Sequence, residues 1–146
     1  MADSLDLDRF LPYRLSRLSN TVSQAIADLY VERFNLTVTE WRVLAVLGRE
    51  PGLSAREVAL RTAMDKVAVS RAVARLIAAG RIDRGTDRGD RRRSVLHLSG
   101  AGKRIYDQVV PLALDFERRL LERLDAGERA DLDRLLARLE RASLGA

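Results

Sequence analysis

Residues 54–93 constrain this chain more than any other stretch. They read as a short helix, a tight turn, a second helix and an arginine-loaded hairpin. Ser54 is followed three residues later by Glu57, a capping-box pattern in which the serine accepts from the Glu57 backbone N–H and the glutamate reaches back to Ser54. This first helix is expected to end near Arg61, with Thr62 and Ala63 in the turn. A second helix is expected from about Asp65. In it Val69, Ala72, Val73 and Leu76 recur at i, i+3, i+4 and i+7, which makes them a core face. Val67, Ser70, Arg71, Ala74 and Arg75 fall on the opposite face. Gly80 is placed to end the helix as the residue after its cap.

The hairpin follows at once. Residues 81–86 and 94–98 suit two short strands. Between them Asp87, Arg88, Gly89, Asp90, Arg91, Arg92 and Arg93 contain no apolar side chain and cannot be core. Gly89 suits a turn that needs positive φ. A helix with one apolar face and one small, basic face, preceded by a short helix and a turn, has the outline of a helix-turn-helix reader of DNA. The hairpin adds a wing. Charge sharpens this reading. Residues 54–93 hold eleven Lys and Arg against five Asp and Glu, net +6, while the whole chain carries +5. The remaining residues therefore sum to −1, so the excess positive charge is confined to the one stretch expected to meet phosphates.

The 146 residues suffice for one compact domain with a true core. A hydrophobic share of 47% and a charged share of 32% fit a soluble globular protein with exposed charged helices. Residues 1–8 are acidic and do not read as a signal peptide. No run of about 18 apolar residues occurs, so no transmembrane helix and no membrane partner are expected, and the expected compartment is the cytoplasm. The absence of cysteine excludes disulfides, thiolate zinc sites and thiol-based redox sensing. The one histidine, His97, leaves little for a metal site, and no metal or cofactor is expected.

On the N-terminal side, Phe10, Leu11, Leu15, Leu18, Val22, Ile26 and Leu29 repeat at helical spacing. Pro12 suits a kink or a first-turn position, and the helix or pair of helices should end near Phe34 and Asn35. Thr39 is expected to cap the next helix, whose buried stripe is read as Trp41, Leu44, Ala45 and Leu47. Glu50, Pro51 and Gly52 stop it. After the hairpin, Ser99 is expected to cap a long helix carrying Ile105, Val109, Leu112, Phe116, Leu120 and Leu124, bent rather than ended by Pro111. Asp125 and Glu128 form a second capping-box pattern, opening a last helix with Leu132, Leu135, Leu136 and Leu139. Together with Leu121 and Leu144 these leucines exceed what a small winged helix can cover, and they read as half of a helical dimer interface. Two-fold symmetry suits a reader that places two helices in major grooves about 34 Å apart.

The chain resembles the MarR family of bacterial winged-helix transcription regulators. The resemblance is carried by Leu36, Thr37, Val38, Thr39, Glu40, Trp41, Arg42, Val43 and Leu44, by residues 66–80, and by Asp87, Arg88, Gly89, Asp90, Arg91 and Arg92 leading into Leu98, Ser99, Gly100, Ala101 and Gly102. It implies a mainly α fold with a small β wing: a winged helix-turn-helix over residues 36–99, with residues 1–35 and 100–146 forming a helical dimerisation region. It further implies a triangular homodimer on a palindromic operator, most often a repressor, released by a small ligand that is frequently an aromatic acid.

Roles follow residue by residue from the helix reading and the resemblance. Lys66, Val67, Ser70, Arg71 and Arg75 are expected in the major groove, with Val67 against a thymine methyl and Ser70 on base edge or phosphate. Arg71 and Arg75 either read guanine or clamp phosphates. Arg92 matches the family's minor-groove arginine, and Asp90 is expected to orient its guanidinium. Arg88, Arg91 and Arg93 are read as phosphate contacts that set register. For an effector the resemblance points to Tyr13, Arg17, Trp41 and Arg42, an aromatic pair with arginines suited to an aromatic carboxylate. His97 reads as a strand residue beside the wing. No nucleophile motif or glycine-rich phosphate loop is present, so an enzyme is not expected. The rival classes are a winged-helix protein-interaction module and a ligand-independent architectural DNA binder, which weak sequence specificity would mark out.

Overall fold

The computed structural model describes residues 3–144, the Leu144 side chain excepted. The chain forms a 3₁₀ turn at Leu7–Arg9, then α1 (Leu11–Ala27), α2 (Val31–Phe34), α3 (Val38–Arg49), α4 (Ala55–Thr62), α5 (Lys66–Ala78), β1 (Ile82–Thr86), β2 (Ser94–Leu98), α6 (Gly100–Leu121) and α7 (Ala126–Leu144). It is mainly helical with one two-stranded antiparallel sheet, a winged helix-turn-helix. Two compact units separate, Met1–Val110 and Pro111–Ala146, and α6 passes through both.

Caps explain most of the helix starts. Ser54 opens α4 by accepting from the Glu57 backbone N–H at 3.2 Å, while the Glu57 carboxylate takes the serine hydroxyl at 3.1 Å instead of the Ser54 backbone N–H. Asp65 caps α5 through the Ala68 N–H at 2.9 Å. Asp125 and Glu128 form the fully reciprocal box at the start of α7, at 2.8 and 3.0 Å. The cap of α3 departs from expectation. It is Thr37, not Thr39: Thr37 accepts from the Glu40 N–H at 3.1 Å, and its hydroxyl meets the Glu40 carboxylate at 3.2 Å. Two threonines compete here, and only Thr37 has a glutamate three residues on.

The core of the first unit is built by α3, α4, α5, both strands and one face of α6. Val43, Leu44, Leu47, Val58, Val69, Ala72, Val73, Leu76, Ile82, Leu96 and Val109 are fully enclosed. The four core positions expected on α5 are all buried. On α3 the stripe is Glu40, Val43, Leu44 and Leu47, with Trp41 and Ala45 only half-buried. The buried stripe begins one residue earlier than expected, so the carboxylate of Glu40 joins the buried face in place of the Trp41 ring.

Turns carry the remaining geometry. Ala63, in the turn between α4 and α5, adopts φ +52°, and Gly80 ends α5 at φ +71°. Gly89 does not take positive φ among the described residues. The wing tip is instead shaped by side chains: the Asp87 carboxylate accepts from the Gly89 N–H at 2.9 Å, and Asp90 accepts from the Arg92 N–H at 3.0 Å. Two such local bonds bend the chain without a left-handed residue. The strands pair from Ile82 opposite Leu98 to Thr86 opposite Ser94. Leu53 adds a bridge to Leu96, with the Leu96 N–H on the Leu53 carbonyl at 2.8 Å and the Gly52 N–H on the Leu96 carbonyl at 3.0 Å. Ser99 ties the start of α6 to the end of α5, donating to the Gly80 carbonyl at 2.6 Å and accepting from the Gly102 N–H at 3.1 Å. Helix α6 continues through Pro111 as far as Leu121, short of Leu124.

Candidate nucleic-acid interface

Helix α5 presents Lys66, Val67, Ser70, Arg71 and Arg75 on its exposed side, opposite the buried face. Val67 is 57% exposed, an apolar side chain held in water on a helix otherwise patterned for burial. At the wing tip Arg88, Asp90, Arg91 and Arg92 are exposed, and among the described residues Arg88, Arg91 and Arg92 form no ion pair. Among the described residues, five cations of α5 and the wing tip are thus exposed without an ion pair, counting Lys66 and Arg71 on α5.

Three of the expected contact residues have partners within the protein. Arg93 is not a free cation: it pairs with Asp87 at 3.0 Å and with Glu57 on α4. Its neighbours compensate its charge and tie the base of the wing to α4. Asp90 spends its bond on the Arg92 backbone N–H and makes no ion pair with the Arg92 guanidinium. Arg75 is held through Nε by Glu40 at 3.1 Å, which leaves only its two terminal nitrogens to act outward.

The structure also adds residues. Arg56 and Lys66 line a cleft of about 430 Å³ with Ala55 and Ala59, where α4 meets α5. Two cations from adjoining helices in one cleft fit a backbone phosphate. Arg56 directly follows the first residue of α4, and its charge was visible in the sequence; its pairing with Lys66 required the turn to be folded.

The four residues expected at an effector site do not share one cavity. Tyr13 and Arg17 line an open cleft of about 500 Å³ on α1 with Asp8, Arg14, Leu18 and Thr21. Trp41 is not in its lining. Its ring lies 6.1 Å from Tyr106, near parallel, and 5.8 Å from Tyr30. Arg42 donates to the Ser23 hydroxyl at 2.7 Å and approaches the Met64 sulfur at 3.9 Å. Burial pushes the Tyr30 phenol up to about 12, with Arg42 opposing and Glu40 adding to the effect. His97 stands exposed on β2, paired in register with Asp83.

Comparison with known proteins bears on this arrangement. A model described as MarR family matches residues 34–93, the stretch that holds the α5 surface and the wing. A MarR/EmrR family transcriptional regulator from Acinetobacter sp. ADP1 superposes with a TM-score of 0.88 at 26% identity, covering 97% of this chain and 100% of that one. The chain belongs to the MarR family. A second likeness, to a probable transcriptional regulator from Pseudomonas aeruginosa, has 31% identity and a TM-score of 0.73 over 92% of this chain and 99% of that one. A third is to the PcaV transcriptional regulator from Streptomyces coelicolor in complex with its natural ligand, at 27% identity and TM-score 0.78, over 97% and 99% of the two chains. The curated regulators that this MarR-family chain matches are aligned over 60% to 67% of their own length.

Within this MarR-family fold the other residues that sequence reasoning missed, besides Arg56, are acidic. Glu40, Glu57 and Asp87 each hold an arginine. Their signal was present in part, since both glutamates occupy the fourth position of a capping box. Their second bond reaches across the fold, and periodicity within one helix cannot show it.

Proposed function

We propose that this protein is a sequence-specific, double-stranded-DNA-binding transcriptional repressor that works as a homodimer on a palindromic operator and is released by a small aromatic acid. The observation that carries the DNA reading is the juxtaposition of an exposed α5 face (Lys66, Val67, Ser70, Arg71) with the wing-tip arginines Arg88, Arg91 and Arg92, which have no ion pair among the described residues. A helix that fits the major groove brings base-edge donors, and a basic hairpin beside it suits phosphate and minor groove. Arg92 takes the minor-groove role in this reading, with Arg88, Arg91 and the Arg56–Lys66 cleft on phosphates.

The homodimer rests on apolar surface. Leu132, Leu135, Leu136 and Leu139 of α7 are each 39–46% exposed, and Leu7, Phe10, Leu11, Leu15 and Leu18 are comparably open at the N-terminal end. A stripe of that size on a helix is covered by protein in a stable molecule. A second copy, pairing residues 1–35 and 100–146 and leaving 36–99 for DNA, supplies the cover and the two-fold axis together. Leu144 belongs to the same reading, although its side chain lies outside the described residues. Repression follows from occupancy, since a seated dimer of this size excludes other proteins from its site. Such a reader works in the cytoplasm.

For the effector we retain Tyr13 and Arg17, where a ring face and a guanidinium adjoin one cleft and can take a planar carboxylate. Trp41 and Arg42 are already engaged by Tyr106, Tyr30, Ser23 and Met64. The PcaV regulator, similar over nearly its whole length, was crystallised with its natural ligand, which supports a ligand-responsive reading here.

Selection of bound sequences from random duplex DNA at physiological salt tests the function. An enriched inverted repeat, with half-sites about one helical turn apart, is the expected result. Binding with no enriched sequence would replace this reading with an architectural one, and no binding would leave a protein-interaction module.

A further inference from the structure

Glu40 is the one charged side chain in the buried core among the described residues, at 6% exposure. It lies in the first turn of α3, and its carboxylate is satisfied twice, by the Thr37 hydroxyl at 3.2 Å and by Nε of Arg75 at 3.1 Å. No buried polar side-chain atom is left without a partner. Arg75 itself is 55% exposed and lies on the same helix side as Lys66, Ser70 and Arg71.

A buried carboxylate that lost its cation would be strongly destabilised, so this pair has reason to persist when DNA arrives. The geometry of a guanidinium then decides what Arg75 can do. With Nε–H committed to Glu40, the two terminal nitrogens of this half-exposed side chain remain without a partner among the described residues, and their outer N–H groups form a planar fork. Such a fork matches the O6 and N7 acceptors of guanine. The pair is also close to neutral. A compensated guanidinium gains little from the diffuse potential of phosphates and depends on directed hydrogen bonds, which favours a base edge over the backbone. Arg71 and Arg92 have no such compensation among the described residues. The rotamer freedom that a free arginine loses on binding is already lost here, before contact.

We infer that Glu40 is a positioning residue for specificity: from inside the core it holds Arg75 so that its terminal fork reads a guanine in the operator, and it thereby sets sequence preference without touching DNA. The inference rests on the DNA-binding reading above and assigns to Arg75 the base contact that its sequence position left open.

The test is random-duplex selection on three proteins, the natural chain, Glu40→Gln and Arg75→Lys, with each fold checked by thermal melting. Gln keeps the shape and the Thr37 contact but removes the charge. Lys keeps the charge on α5 but has neither Nε–H nor fork. The expected result is that Arg75→Lys loses preference for guanine at one position in each half-site. Glu40→Gln should weaken preference at that same position by about tenfold, leave the other positions intact and preserve the salt dependence of binding. Unchanged preference in Glu40→Gln, or an equal loss of affinity for all sequences, overturns the inference while leaving the regulator reading in place. If Glu40→Gln does not fold, Arg75→Lys decides alone: retained guanine preference there overturns it. A natural chain that enriches no sequence overturns both readings together and is recognisable as such.

Discussion

Arg93 leaves the base of the wing and pairs with Glu57, the glutamate that also caps α4 through Ser54. Asp87 holds the same guanidinium at 3.0 Å from the other limb of the hairpin. The hairpin is thereby joined to the helix-turn-helix by a charge network and not only by the β1–β2 ladder. Both partners are about a third exposed, so the stability it adds is modest, below about 1 kcal/mol per pair. Its effect is on geometry. Arg93→Ala is expected to weaken operator binding several-fold with the salt slope unchanged, because no phosphate contact is lost. Exchange of the charges, Glu57→Arg with Arg93→Glu, should recover part of the loss. A slope reduced by about one in Arg93→Ala would mark a phosphate contact instead.

Arg92 contrasts with its neighbour. Exposed at the tip and unpaired among the described residues, it is free to enter a groove. Arg92→Ala should cost about 1–3 kcal/mol of operator affinity. Unchanged affinity, read by titration at fixed salt, would remove the minor-groove role.

Tyr30 makes stability depend on alkaline pH. The phenol is 1% exposed, and burial pushes it up to about 12 against an ordinary value of 10. The folded protein therefore holds this proton more tightly than the unfolded chain does. The associated stability is fully present below pH 10 and is lost as pH rises through 12, by an amount on the order of 2–3 kcal/mol. Denaturant titrations at pH 9, 10, 11 and 12 should show a loss in the natural protein that Tyr30→Phe lacks. Parallel curves would show that Tyr30 does not titrate differently on unfolding.

Gly102 lies where α6 meets the end of the reading helix. A Cβ there would collide with the Arg81 carbonyl oxygen, a backbone atom that cannot swing aside. The same carbonyl accepts from the Ser99 N–H at 3.1 Å. Gly102→Ala is expected to lower stability by about 2–4 kcal/mol through overpacking and loss of this junction, visible as a fall in melting temperature. An unchanged melt would mean that α6 can shift along its axis without cost.

The apolar stripe of α7 predicts the assembly state. Leu135→Glu with Leu139→Glu should give a monomer in sedimentation and lose binding to a two-half-site duplex, with the helical content kept. A dimer that survives both changes would place the two-fold contact elsewhere.

Sequence alone determined the order of the elements, the buried face of α5, the arginine-rich wing, the caps at Ser54, Ser99 and Asp125, and the family resemblance. These depend on near neighbours: a cap needs a residue three positions away, a helix face needs positions within two turns, and a wing without apolar residues cannot be buried. The tertiary structure decided which arginines are free. Arg75 and Arg92 are equivalent as letters in basic stretches, but Glu40, 35 positions before Arg75, holds the first, and nothing described holds the second. The same is true of Arg93 with Glu57, and of Tyr13 and Trp41, whose helices put them against different neighbours. Which charge meets which across a fold is set by the packing of whole helices, whose positions follow from the core as a whole and not from any local spacing.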